Sequence, residues 1–201
     1  MKPIRALFWD VGGVLLSNAW DHEQRAQAVE RFGLDAHRFE ALHQENVAEF
    51  EQGGITLDEY LTHTVFSQKN DISRDDFCRF MFSLSRAKSD VLEYARLLAR
   101  SKRMATINNE SRALNEYRIR KFGLDGIFSL FVSSCYVGLR KPDPGIYRLA
   151  LDLTQVSPEE CCFIDDRPAN IQGARAAGMR AILFEALDPL KQSLEQQGVT
   201  P

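Results

Sequence analysis

Asp10, followed by Val11-Gly12-Gly13, and the adjacent acids Asp165-Asp166, followed by Arg167-Pro168-Ala169-Asn170, each close an apolar run of this 201-residue sequence. Ionised carboxylates brought together from two such places repel unless a cation lies between them. A site with oxygen ligands alone favours Mg²⁺. Lys141, in Gly138-Leu139-Arg140-Lys141-Pro142-Asp143-Pro144, would add a second positive charge. A metal beside a lysine suits a phosphoryl group. Asp10 is then a candidate nucleophile, forming an aspartyl-phosphate that water hydrolyses. Gly12 and Gly13 let the backbone come close, offering a carbonyl to the metal and N–H groups to phosphate oxygens. Asn108 and Asn109, at the end of another apolar run, can donate amide hydrogen bonds to the same phosphate.

Each island also has a plain structural reading. Asp-x-Gly-Gly after a strand is commonly a turn. Lys-Pro-Asp-Pro is commonly a helix start, with Asp143 as cap and Pro144 in the first turn. Asp165-Asp166 would serve as an N-cap with a solvated neighbour. Two adjacent acids ending an apolar strand are nonetheless costly without a partner, and all the islands fall at strand ends.

Those ends belong to five apolar runs read as parallel strands: 4–9, 103–107, 127–133, 161–164 and 180–184. Helical periodicity marks 90–100, 111–122, 145–153 and 169–177. Strand–helix alternation argues for an α/β fold, a Rossmann-like parallel sheet with helices on both faces, whose ligands bind beyond the carboxyl ends of the strands. From Leu16 to about Lys88 the rhythm breaks into four amphipathic stretches, 22–32, 36–50, 57–66 and 74–84, with Thr56 and Ser73 where N-caps belong. The expected organisation is a core of residues 1–16 and 88–201 with an inserted all-helical cap over 17–87. The cap phenylalanines (Phe32, Phe39, Phe50, Phe66, Phe77, Phe80 and Phe82) read as core. Trp20, Asp21 and the turn Glu51-Gln52-Gly53-Gly54 could reach the pocket and influence substrate choice, although packing or a surface turn is the favoured reading.

A net charge of −3 gives no reason to expect nucleic acid or an anionic membrane as partner. Apolar stretches near Met1 are too short for a signal core or a span, so the simplest expectation is the cytosol. Cys78, Cys135, Cys161 and Cys162 show no C-x-x-C or zinc spacing and read as core thiols. The four histidines show no metal-binding spacing and receive no catalytic role.

The stretches Leu7-Phe-Trp-Asp-Val-Gly-Gly-Val-Leu-Leu16, Ser133–Tyr147 and Phe163–Gly178 together resemble the haloacid dehalogenase-like hydrolases. Within them the sequence resembles the branch that includes bacterial glucose-1-phosphatase and the N-terminal phosphatase-like domain of epoxide hydrolases. The resemblance implies a Mg²⁺-dependent phosphatase for a small phosphorylated substrate, with a small cap closing over it. By that likeness Asp10 matches the nucleophile, Lys141 the charge-neutralising lysine, and Asp166 the main metal ligand with Asp165 beside it. The Gly12 carbonyl matches the backbone oxygen on the metal.

Two positions depart from the pattern. Gly12 stands where most such phosphatases carry an acid–base Asp, whose loss typically costs about 10²–10⁴ in rate; a good leaving group, such as an anomeric sugar phosphate, would lessen that need. Asn108 stands where the family has Ser or Thr. These departures leave open a degenerate member that binds a phosphorylated ligand or a partner without turnover. A 2-haloacid dehalogenase is a further alternative on the same fold, although paired acids suit a metal-free anion site poorly. A phosphoryl-transferring mutase would be expected to keep the acid missing at Gly12.

Overall fold

Ala6–Trp9 is an unbroken apolar run, and all four side chains are buried. Such a run suits a strand covered on both faces. It forms β1, at the centre of the sheet in a computed structural model that describes residues 2–201. Four helices follow it: α1 (His22–Phe32), α2 (Ala36–Glu51), α3 (Leu57–Thr64) and α4 (Arg74–Ser83). Then come α5 (Ser89–Leu98), β2 (Arg103–Asn108), α6 (Arg112–Phe122), β3 (Leu130–Ser133) and the single turn α7 (Ser134–Val137). The chain continues through α8 (Pro144–Thr154), β4 (Cys161–Asp165), α9 (Pro168–Ala176), β5 (Arg180–Leu183) and α10 (Leu187–Glu195). All neighbouring strands pair in parallel, in the order β3-β2-β1-β4-β5. This is the α/β architecture expected from the strand–helix rhythm.

Alternation along β1 splits the core. Leu7 and Trp9 join one apolar cluster with Val91, Leu98, Leu190 and Leu194; Ala6 and Phe8 join another with Ile146, Tyr147, Ile171 and Ala174. A strand sends successive side chains to opposite faces, so helices are needed on both. A third cluster lies within α1–α4. Phe39, Phe50, Tyr60, Leu61, Phe77 and Met81 are buried there, and Phe32, Phe66, Phe80 and Phe82 pack against them. Each fully buried side chain of this size contributes roughly 1.5–3 kcal/mol, enough to hold four short helices together. Leu114 of α6 joins this cluster and seats the four helices on the sheet layer.

Helix starts are specified locally. Asp21 and Thr56 form capping boxes with Gln24 and Glu59, and Ser73 accepts from the backbone N–H of Asp76. Two connections join the four helices to the sheet. Ser17 N–H donates to the Arg86 carbonyl at 2.8 Å, and Lys88 N–H to the Leu15 carbonyl at 3.0 Å.

Some boundaries differ from the sequence reading. β3 begins at Leu130 rather than at 127, because a 3₁₀ turn at Leu124–Gly126 delivers Ile127 and Phe128 to the core as a bend. The turn α7 is too short to carry a period. Helix α10, which the sequence reading omitted, buries Leu190 and Leu194, four residues apart. Among the described residues no helix is long and apolar enough to cross a membrane.

Candidate active site

Register brings the strand-end acids together. Trp9 pairs with Ile164 across β1 and β4, so the next residues, Asp10 and Asp165, leave the sheet side by side. Carboxylate oxygens of Asp10, Asp165 and Asp166 all lie within 4.8 Å of one another. From the loop before α8, Lys141 reaches between two of them: Nζ is 2.8 Å from Asp10 Oδ1 and 2.6 Å from Asp165 Oδ2. Burial pulls the pKa of this ammonium down, but the two carboxylates outweigh it and hold it above the ordinary lysine value.

The three acids have different surroundings. Asp165 is fully buried and saturated: Oδ1 accepts from Arg167 N–H and Asn170 Nδ2, and Oδ2 from Lys141 and Asn170. At Asp10, Oδ1 accepts from Val11 N–H as well as Lys141, which leaves Oδ2. Burial lifts Asp10 to about 7 against the pull of Lys141, and the other two acids add to the rise. Asp166 Oδ1 is buried without any hydrogen-bond partner, and burial raises this acid as well.

This set fits a divalent cation on structural grounds. Three carboxylates against one ammonium leave two negative charges in a dry place, which costs heavily unless neutralised. An orphaned buried carboxylate oxygen and an all-oxygen donor set match the preference of Mg²⁺. Gly13 (φ 78°) brings its backbone against Asp166, and an added Cβ there would lie 2.6 Å from Asp166 Cγ. The Gly13 carbonyl accepts from Lys88 Nζ. Gly12 is different, since a Cβ there would meet nothing nearer than Asn18 Oδ1 at 3.4 Å.

Asp10, Gly12, Asn109 and Lys141 line one cavity of about 370 Å³ between the sheet edge and α1–α2. Asn109 holds Lys141 in place: Oδ1 accepts from the Lys141 N–H and Nδ2 donates to its carbonyl, at 2.8 and 2.9 Å. Asn108 does not line the cavity, contrary to expectation. Its Nδ2 donates to Asn115 Oδ1 and its Oδ1 accepts from Ser133 Oγ, so a longer side chain than Ser or Thr has been drawn into a buried network.

The opposite wall comes largely from residues read as packing or surface, or not singled out. Trp20, Asp21 and Glu51 line the cavity, with Arg25, His43 and Gln44. The turn after α2 is fixed to the sheet layer, with Ser134 Oγ donating to the Glu51 carbonyl at 2.6 Å and Gln52 Nε2 to the Gly138 carbonyl at 2.8 Å. Gly53 (φ 77°) lies so close to Cys135 that a Cβ would strike its carbonyl. Ion pairs with at least one partner on the cavity wall surround it: Arg25–Glu40, Arg118–Glu110, Arg140–Glu51 and Arg167–Asp21. Individually these charges look like ordinary helix-face residues, and only the fold reveals the pairing.

A sequence model of the family described as haloacid dehalogenase-like hydrolase matches residues 4–178. Flavin mononucleotide hydrolase 1 of Arabidopsis thaliana is 39% identical over 39% of this chain and 32% of its own length. A phosphatase of Mycobacterium tuberculosis is 26% identical over 90% of this chain and 88% of its own. The matches to the first four curated relatives span only 12% to 36% of those proteins' lengths. Among solved structures, a HAD family enzyme of Bacteroides thetaiotaomicron superposes with a TM-score of 0.82 at 20% identity, covering 92% of this chain and 95% of that one. The same enzyme in complex with magnesium and inorganic phosphate gives 0.76 at 19% identity, covering 91% and 95%.

Proposed function

This chain belongs to the haloacid dehalogenase-like hydrolases, and from that premise we propose that it is a Mg²⁺-dependent phosphatase releasing phosphate from a small phosphorylated metabolite by way of an aspartyl-phosphate on Asp10. The observation that carries this reading is the Asp10–Lys141–Asp165 arrangement beside the unpartnered Asp166. Relatives named as phosphatases or hydrolases of phosphate compounds, and a neighbour solved with magnesium and phosphate, support it.

Asp10, Asp166 and the Gly12 carbonyl would hold the Mg²⁺, which when bound supplies positive charge to phosphoryl oxygens and to the excess carboxylates. Asp10 Oδ2, the oxygen free of Lys141, attacks phosphorus, and the bond to the leaving oxygen breaks. Lys141 has two tasks. It pulls Asp10 toward its ionised form against the burial that raises it, and it offers an ammonium to the phosphoryl charge that builds in the transition state. Asp165, locked by Asn170 and Arg167, aims the lysine; Asn109 fixes its backbone. Water then attacks the same phosphorus and frees Asp10.

The paired acids argue against the 2-haloacid dehalogenase alternative, since a metal-free site for an organic acid would be poorly served by an uncompensated carboxylate such as Asp166. Phosphate release from sugar, alkyl and aryl phosphates, with Mg²⁺ or with EDTA, tests the reading. The expected result is turnover that needs Mg²⁺ and disappears in Asp10→Asn. Absence of turnover across the panel, with Mg²⁺ still bound, would instead favour a binding protein without catalysis.

A further inference from the structure

An alkoxide leaves phosphorus readily only when it gains a proton as the bond breaks, and the attacking water must then lose one. Gly12 supplies neither service. A proton carrier must therefore come from elsewhere in the cavity wall, and most titratable groups there are committed. Asp21 caps α1 and pairs with Arg167 at 2.6 Å. Glu110 accepts from Ser111 N–H on one oxygen and from Arg118 on the other. His43 is buried, with Nδ1 bonded to the Tyr60 hydroxyl, and burial lowers it to about 4. Lys141 is held charged between two acids.

Glu51 differs from all of these. It stands at the end of α2 and enters the cavity on the turn that Ser134, Gln52 and Gly53 pin to the sheet layer. Its position is therefore set by backbone contacts rather than by a mobile arm. Arg140 Nε lies 2.8 Å from Oε2 in an ion pair that does not meet hydrogen-bond geometry at either atom. Burial raises the acid against Arg140, Arg167 and Lys141, the charged groups that face it, while Glu110 repels it from the sheet side.

On the phosphatase reading above, we propose that Glu51, carried in by the helical insertion, is the proton donor and acceptor that Gly12 cannot be. In the first step Asp10 Oδ2 bonds to phosphorus, the ester P–O bond breaks, and the Glu51 carboxyl gives its proton to the departing oxygen. In the second the Glu51 carboxylate takes a proton from water as that oxygen bonds to phosphorus. The Asp10–phosphorus bond breaks, phosphate leaves, and both acids return to their starting forms.

The test compares Glu51→Gln and Glu51→Asp with the parent on alkyl or sugar phosphates and on p-nitrophenyl phosphate, whose leaving group needs no proton. For Glu51→Gln the expected kcat/KM falls about 10²–10⁴-fold on the first class and stays within a few-fold on the second. Acid quenching should trap phosphate on Asp10, because the second step has lost its base. Glu51→Asp keeps a carboxyl and should keep the parent's weak dependence on the leaving group at a lower rate, with thermal unfolding confirming that each variant is folded. Equal losses on both substrate classes, or no loss on either, overturn the proposal and leave a binding or packing role. A parent enzyme without turnover, or an active Asp10→Asn, overturns the phosphatase reading instead.

Discussion

Gly13 and Asp166 occupy adjoining space so closely that a single methyl group on Gly13 would lie 2.6 Å from Asp166 Cγ, and the Gly13 φ of 78° is one that side chains rarely adopt. Asp166 carries the orphaned oxygen of the acid cluster, so its placement decides whether a cation can be held. Gly13→Ala is expected to displace it and weaken Mg²⁺ binding roughly 10–100-fold, the range for disturbing the support of a metal ligand. Gly12→Ala, where a Cβ meets nothing nearer than 3.4 Å, should change stability by no more than about 1 kcal/mol. Mg²⁺ titration calorimetry and urea unfolding of the pair check this. A Gly13→Ala protein that binds Mg²⁺ like the parent would show that Asp166 is not a ligand.

Among the described residues, Lys141 is the only cation within bonding distance of Asp10 and Asp165. Lys141→Met leaves two buried carboxylates facing each other, and removing one partner of a buried pair costs about 3–5 kcal/mol. Asp10, already lifted by burial, then loses the ammonium that pulled it down. An acid whose folded pKa lies above its unfolded value loses stability as pH climbs through that range. In EDTA, the deficit of Lys141→Met should therefore be larger at pH 8 than at about pH 5.5, as read from urea midpoints at the two pH values. A deficit independent of pH would mean that the carboxylates are not what suffers.

His43 works with the opposite sign. It is buried in the cavity wall and held at about 4 by burial, with Arg25 adding to the effect. Below an ordinary histidine pKa of about 6.5 the unfolded chain binds the proton first. The stability His43 contributes is therefore full above that value and is lost as pH falls toward 4, by about 3 kcal/mol at most. Asp10, lifted to about 7, drives stability the other way over much of the same range. The informative quantity is thus the difference between parent and His43→Gln. Denaturant unfolding from pH 7.5 to 5 should show a shallower acid loss in the variant, and parallel curves would refute the assignment.

How much of this was legible in the sequence depends on the range of the interaction. Asp10, Lys141 and Asp166 stand out because each ends or follows an apolar strand, and a parallel sheet collects strand ends on one edge. The capping signals at Thr56 and Ser73 are equally local and equally visible. Asn108 is ambiguous in the sequence because a strand-end amide can serve a ligand or the core with the same residue type. Asn115 and Ser133, its partners, lie seven and twenty-five residues away. Glu51 is ambiguous for a similar reason. An acid before Gln52-Gly53-Gly54 can be an exposed turn or a pocket element, and the contacts of Ser134, Gln52 and Gly53 with the sheet layer place that turn beside the cavity.

The Arg118–Glu110 pair offers the sharpest test of how the helical insertion is fastened. Both residues are buried; Arg118 Nη1 is 2.9 Å from Glu110 Oε2, and Nη2 donates at 2.6 Å to the carbonyl of Ser17, where the chain enters the insertion. Ser17 Oγ in turn donates to the Leu84 carbonyl and accepts from Arg86 N–H, where the chain returns. One guanidinium therefore steadies both crossings. Glu110→Gln leaves that charge buried and unmatched, and Arg118→Met does the same to the carboxylate. Each is expected to cost about 3–5 kcal/mol. The double variant has no charge to strand, so it should lose clearly less than the two losses combined, with a coupling of about 1–3 kcal/mol in urea unfolding. Losses that add to within about 0.5 kcal/mol would mean that the two side chains act separately, and that the Ser17 carbonyl, not Glu110, is what Arg118 chiefly serves.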